Sequence, residues 1–263
     1  MNRLFAFGCS FTHWHWPTWA DILGREYDHF ENWGHGGGGN LFIFNQLNEC
    51  MIKNKLDSND TVAIMWTNVY RDDYYCNNAW QLKGNIFRQK HLARYDEKGF
   101  LLRDLAFINA AKIMLEKMGI KYVFLSMVPL HNIDQFETYR GDAKILDVID
   151  FYHDAVSAVR PSIFETVFDY DWKSRNFVPV DVDPKTCKIN RLDIHASPIE
   201  HLEYLDKVAP DLVLSAKTRQ WVVQVHAEVV QPSRGRNWLG SDYRPWATPW
   251  KSELWTWKEV VRL

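Results

Sequence analysis

The chain has 263 residues, 46% of them hydrophobic, and a formal net charge of −2. That length buries a sizeable core and fits one large α/β domain with additions. Nothing in the near-neutral balance argues for the basic footprint of a nucleic-acid binder or an electrostatic membrane-surface protein, and neither partner is expected. No apolar run approaches the roughly 18–20 residues of a membrane span, and no apolar leader with a small-residue cleavage site precedes the first core segment. The expected product is therefore cytoplasmic, or exported without such a signal. Cys9, Cys50, Cys76 and Cys187 form no Cys-x-x-Cys pair and are expected as reduced thiols.

Residues 3–8 read as a first strand that stops at Gly8, followed by Cys9-Ser10-Phe11-Thr12. Residues 17–24 predict a short helix with Pro17 in its first turn and Gly24 past its end. Residues 29–33 predict a short strand, and the glycine run Gly34-His35-Gly36-Gly37-Gly38-Gly39 follows. From Asn40 to about Lys55, Leu41, Phe44, Leu47 and Met51 keep helical spacing. Residues 61–66 form the near-continuous apolar run of a buried parallel strand, ending at Thr67-Asn68. Residues 70–100 are polar and aromatic and predict a hairpin-rich insertion. A helix is predicted over 101–118, a buried strand over 122–128, and a helix from about Asp142 to Val159 that Pro161 ends. Residues 170–192 read as irregular. Pro198 opens a helix through about Lys207, and a last helix follows Pro210.

Strands alternating with helices predict a parallel sheet covered on both faces. The expected division is one domain over 1–231, with the 70–100 insertion, and a Trp-rich extension over 232–263, the boundary falling near Gln231-Pro232-Ser233. Of thirteen tryptophans, six (Trp221, Trp238, Trp246, Trp250, Trp255 and Trp257) fall in the last fifth of the chain. They suit a strap packed on the domain or a homo-oligomer contact, and also the stacking faces of a carbohydrate site.

Open α/β sheets bind ligands beyond the carboxyl ends of their strands, so Ser10 stands where a nucleophile would meet substrate. The same residue, or Thr12, also suits a plain turn cap, and Cys9 is a rival nucleophile. Three further segments share this setting: the glycine run, Trp66-Thr67-Asn68, and Asp193-Ile194-His195-Ala196-Ser197-Pro198. Taken singly, Asn68 suits a helix cap, His195 a surface histidine, and the glycines a flexible turn. The run lacks both dinucleotide-binding and P-loop spacing.

In the order Ser, Gly, Asn, His, the four segments resemble the SGNH (GDSL-like) hydrolase superfamily over roughly residues 3 to 208. The Gly-Cys-Ser-Phe-Thr and Asp-x-His-x-Ser-Pro segments are similar to those of members from tailed phages. The resemblance implies a three-layer α/β/α flavodoxin-like fold with a parallel sheet, and no cofactor or metal. It implies Ser10 as nucleophile, His195 as general base and Asp193 as the supporting acid. The oxyanion donors would be the Ser10 backbone N–H, a glycine N–H and the Asn68 side chain. Gly37 matches the family's Gly-x-x-Gly spacing from Gly34, with Gly36 and Gly38 as alternatives.

Two positions depart from the family pattern: Cys9 stands where Asp is usual, and the acid lies two residues before His195 rather than three, where Leu192 stands. An extended segment still puts residues i and i+2 on one face. Asp181, Asp183 or a backbone carbonyl are the alternatives. Around this centre, His13, His15, Arg71 and Trp80 are candidate substrate-binding residues. Arg71 suits an anion clamp or an ordinary helix start, and Tyr74, Tyr75, Trp80 and Phe87 suit a substrate lid or structural packing. His13, His15 and His35 lack acidic or cysteine partners at zinc-ligand spacing. The expected activity is a serine esterase removing a small acyl group, acetyl foremost, from a small-molecule or carbohydrate ester. An O-acyltransferase and a non-catalytic binding protein on the same scaffold are the alternatives.

Overall fold

The structure, a computed structural model, describes residues 2–77, 79–82, 84, 97–130, 143–169, 178–182, 189–230, 248–249 and 261–262. In chain order the elements are β1 (Arg3–Phe7), α1 (Trp19–Gly24), β2 (His29–Asn32), α2 (Asn40–Asn54), β3 (Asp60–Trp66), β4 (Tyr74–Cys76) and β5 (Ala79–Leu82). They continue with α3 (Glu97–Met118), β6 (Lys121–Ser126), α4 (Ala143–Phe151), α5 (His153–Ser157), β7 (Val159–Ser162) and α6 (Ile163–Thr166). The last are β8 (Val178–Val182), β9 (Ile189–Asp193), α7 (Pro198–Val208), α8 (Ala216–Val230), β10 (Thr248–Pro249) and β11 (Val261–Arg262).

Side chains alternate across a strand, and here both faces are apolar. Phe5, Phe7, Val62, Ile64, Trp66 and Phe124 face one core, filled by Phe42 and Leu47 of α2 and Leu105, Ile108 and Leu115 of α3. Leu4, Ala6, Ala63, Met65, Val123 and Leu125 face the other, filled by Trp19 and Leu23 of α1, Phe164 of α6, Leu205 of α7 and Val222 of α8. Such two-sided burial makes an all-parallel sheet stable, and the result is a three-layer α/β/α arrangement. The central strands run in the order β2-β1-β3-β6-β7, all parallel, with β10 beside β2. This is the flavodoxin-like 2-1-3-4-5 order. Its topological switch point, where ligands bind, lies at the carboxyl ends of β1 and β3.

Several elements differ from expectation. The predicted helix over 142–159 breaks at Tyr152 into α4 and α5, and the chain then pairs with β6 as β7. Pro161 therefore lies within an edge strand, where its missing N–H costs no ladder bond. Helix α3 begins at Glu97, four residues earlier than predicted. The stretch expected to be irregular holds an antiparallel hairpin, β8–β9. Within the insertion, β4 and β5 form the expected hairpin, with Tyr75 opposite Trp80, while 85–96 lie outside the described residues. Two short pieces of the tail pair with the domain, β10 along β2 and β11 along β5. Trp221 lies on α8, with the Arg25 guanidinium 4.2 Å from its ring. Trp238, Trp246, Trp250, Trp255 and Trp257 lie outside the described residues. Among the described residues no helix is long and apolar enough to cross a membrane.

Candidate active site

Each segment singled out in the sequence sits at a carboxyl strand end or just beyond one. Ser10 lies three residues past β1, Asn68 two past β3, and the glycine run joins β2 to α2. Asp193 closes β9 and His195 precedes α7, whose first turn is capped by Ser197 with Glu200 answering on the Ser197 N–H at 2.7 Å.

Ser10, His195 and Asp193 form one hydrogen-bonded chain. Ser10 Oγ is 2.8 Å from His195 Nε2, and His195 Nδ1 is 2.6 Å from Asp193 Oδ1. A carboxylate only accepts, so Nδ1 carries the proton and Nε2 is left to accept from the Ser10 hydroxyl. The same Oδ1 accepts the His195 backbone N–H at 2.8 Å, so the two-residue spacing closes a tight local ring. Burial pushes the Asp193 carboxyl up, but the hydrogen bond and charge of His195, its backbone N–H and the charge of His15 outweigh it. The carboxyl stays below its ordinary value. Asp181 lies on β8, its side chain outside the described residues, as is Asp183 altogether. Cys9 is fully buried, its thiol 3.6 Å from the Met127 sulfur, facing the core and not the Ser10 hydroxyl.

The loop after Ser10 grips the His195 segment with aromatic rings. Trp14 stacks on the His195 imidazole, centroids 3.6 Å apart and planes 24° from parallel, and Phe11 approaches it at 5.1 Å. Trp16 Nε1 donates to the Ala196 carbonyl at 2.7 Å. The loop itself is held from behind: the Thr12 carbonyl accepts from Thr18 Oγ1 at 2.6 Å and Asn32 Nδ2 at 2.8 Å, and buried Asp21 accepts the Thr18 N–H at 2.9 Å. Gly8 is required where this loop leaves β1, because a Cβ there would lie 2.0 Å from Thr12 Oγ1.

The candidate oxyanion donors lie in the glycine run and at Asn68. Along the glycine run, the N–H groups of Gly34, His35, Gly38 and Gly39 donate to Asn32 Oδ1, Gly8 O, His35 O and Asp73 Oδ2. Those of Gly36 and Gly37 donate to no described group, nor does that of Ser10. Gly38 is thereby removed from the three glycine candidates. Asn68 accepts the Tyr70 N–H on Oδ1 at 2.7 Å, which orients its amide and leaves Nδ2 to donate. Asn40 braces the preceding residue, donating to the Thr67 carbonyl at 3.0 Å and accepting its N–H at 2.9 Å.

No protein-family model and no curated protein matches the chain. Solved structures do overlap it. A member of the lipolytic G-D-S-L family from Veillonella parvula has 12% identity and a TM-score of 0.43, covering 78% of this chain and 97% of its own. A catalytic mutant of an acetylxylan esterase from Geobacillus stearothermophilus has 15% identity and a TM-score of 0.43, covering 81% and 96%. The chain is similar to G-D-S-L lipolytic proteins.

Two candidate binding residues are buried. Arg71 is buried, its guanidinium turned onto the Gly38 carbonyl at 2.5 Å and not held open as an anion clamp. Trp80 is 7% exposed and packs edge-on against Phe42, ring centroids 5.3 Å apart, as a core residue of the insertion. His13 and His15 stay half-buried on the loop after Ser10. Phe87 lies outside the described residues. Sequence reasoning passed over Asp73 and Asp104, both buried. Asp73 accepts the Gly39 and Phe42 N–H groups at the start of α2, and burial pushes its carboxyl up to about 7 against the pull of Arg71. Asp104 accepts from Asn40 and Arg103, and burial raises it to about 6. No spacing rule marks such residues, since each contacts loops distant in the chain. Asp104 carries one signal, an acidic residue on a largely apolar helix, and Asp73, in the polar run Arg71-Asp72-Asp73, carries none.

Proposed function

We propose that the protein is a serine ester hydrolase working through an acyl-enzyme on Ser10. The reading rests on the continuous Ser10–His195–Asp193 hydrogen-bonded chain. In the first half-reaction Ser10 Oγ attacks the ester carbonyl carbon while its proton passes to His195 Nε2. The carbonyl oxygen takes the negative charge and meets the N–H groups of Ser10 and Gly37 and the Asn68 amide. Collapse breaks the bond to the alcohol oxygen, which takes the proton back from Nε2. Water then repeats the sequence on the acyl-serine, releasing the acid and restoring the Ser10 hydroxyl. Asp193 holds the ring and its tautomer and offsets the charge of the imidazolium.

The substrate we infer is a small acyl ester, acetyl foremost, of a polar or carbohydrate alcohol. Ser10 is 7% exposed and walled by Phe11 and Trp14 through their contact with His195, which suits a short acyl chain. His13 and His15, half-buried on the loop after the serine, suit a hydroxyl-bearing leaving group.

Treating the purified protein with a fluorophosphonate and mapping the adduct by peptide mass spectrometry tests this reading. The expected result is modification at Ser10, absent in Ser10→Ala and lost in His195→Ala, together with hydrolysis of p-nitrophenyl acetate. Folded protein that takes no label would overturn it in favour of a binding role. Acyl transfer to a sugar acceptor that outruns hydrolysis would replace it with an O-acyltransferase.

A further inference from the structure

The glycine run presents a free N–H at Gly37, but four consecutive glycines do not hold a peptide plane in one orientation by themselves. The run is pinned at three places. His35 O accepts the Gly38 N–H at 3.1 Å, closing a turn whose central residues are Gly36 and Gly37. Gly37 has φ +86°, the value a type II turn demands at its third position and one that L side chains avoid. Type I and type II turns differ by a flip of the central peptide, here the one joining Gly36 to Gly37. That flip reverses the direction of the Gly37 N–H. The carbonyl of this peptide lies 2.9 Å from His35 Nδ1. A carbonyl only accepts, so Nδ1 carries a proton and donates. The next peptide plane but one is held at both ends: Arg71 donates to the Gly38 carbonyl at 2.5 Å and Asp73 accepts the Gly39 N–H at 2.6 Å.

We infer that His35 is a positioning residue for the reaction proposed above: its Nδ1–H holds the Gly36 carbonyl and thereby fixes the direction in which the Gly37 N–H donates. The ring is buried, 5% exposed, and lies edge-on to Phe42 with centroids 5.9 Å apart. Its backbone N–H ties the turn to the Gly8 carbonyl at 3.0 Å, at the root of the Ser10 loop. Thus a single residue connects the strand end that carries the nucleophile to the turn that carries the donor. The inference rests on the acyl-enzyme reading, because only a developing oxyanion gives the Gly37 N–H something to stabilise.

The test compares His35→Leu and His35→Phe, which remove the donor but keep a buried apolar group, with His35→Asn, whose amide nitrogen falls near the position of Nδ1. Steady-state hydrolysis of p-nitrophenyl acetate is measured for each folded variant. His35→Leu and His35→Phe are expected to lower kcat by about 10- to 100-fold with KM within about threefold of the parent. This is less than the ~10²–10³-fold seen when an oxyanion donor is deleted outright, because the N–H remains but is no longer held. His35→Asn is expected to recover most of the loss. A parent-like kcat in the Leu or Phe variant overturns the inference, as does an Asn variant no better than the Leu variant or a change confined to KM. Fluorophosphonate labelling of Ser10 in the parent keeps the two readings separable. If it labels and turns over while His35→Leu is unaffected, only the positioning role falls. If it does not label, the hydrolase reading itself falls.

Discussion

One oxygen of Asp193 accepts both the imidazole Nδ1–H, at 2.6 Å, and the His195 backbone N–H, at 2.8 Å. This arrangement makes Asp193→Asn milder than Asp193→Ala. An asparagine can place its amide oxygen where Oδ1 lies, keeping both bonds and the Nδ1–H tautomer and losing only the charge. A hydrogen bond to a charged group contributes about 1.5–3 kcal/mol and a neutral one about 0.5–1.5. The difference, about 1–1.5 kcal/mol, corresponds to roughly 5- to 12-fold in rate at about 1.4 kcal/mol per factor of ten. Alanine removes the whole interaction and frees the ring, for a loss of about 10- to 140-fold on the same scale. The assay is kcat/KM on p-nitrophenyl acetate, with melting curves to verify that both variants fold. An asparagine variant as impaired as the alanine variant would refute the shared-oxygen geometry. An alanine variant within threefold of the parent would remove Asp193 from the triad and turn attention to Asp183.

Asn68→Asp keeps the acceptor for the Tyr70 N–H but replaces the donor with a negative charge. It is expected to melt like the parent while losing at least the ~2.7–4 kcal/mol of transition-state stabilisation that one oxyanion donor supplies, read as a kcat loss of roughly a hundredfold or more. Asp73→Asn probes the buried carboxyl that desolvation raises to about 7. The unfolded aspartate is ionised well below that pH, so the folded state binds the extra proton and stability falls as pH rises towards and through 7. Between pH 5.5 and 7.5 the parent should lose about 2 kcal/mol relative to Asp73→Asn, measured by urea denaturation at each pH. A parallel pH dependence in the two proteins would show that Asp73 ionises normally.

The strands at the centre of the sheet were legible because two-sided burial writes itself as an unbroken apolar run. Thr61 to Trp66 and Tyr122 to Ser126 are such runs, and both are strands. Segments with one exposed side were harder. Val159-Arg160-Pro161-Ser162 reads as a helix stop because proline usually is one, yet on a sheet edge it pairs with β6. The Ser10, His195 and Asp193 segments were legible from motif order and strand-end placement. The face that Arg71 and Trp80 present was not, since a buried arginine answering a loop carbonyl has the same one-letter neighbourhood as an exposed one. The stack of Trp14 on His195 joins positions 181 residues apart. Local spacing carries no trace of it beyond the alternation of histidine and tryptophan after the nucleophile.

Asp193 and His195 belong to one three-residue stretch, whereas Ser10, Gly37 and Asn68 all lie within the first 68 residues. The proposed chemistry therefore divides into two cassettes that meet through the seating of α7 against the sheet and the grip of Trp14 and Trp16 on the segment before it. Among the described residues between them, from the end of β6 to the start of β9, none belongs to the proposed catalytic set. Insertions or deletions there are thus expected to leave the proposed chemistry intact while α7 still seats. Evolution has there a place to append new surfaces without retuning the centre.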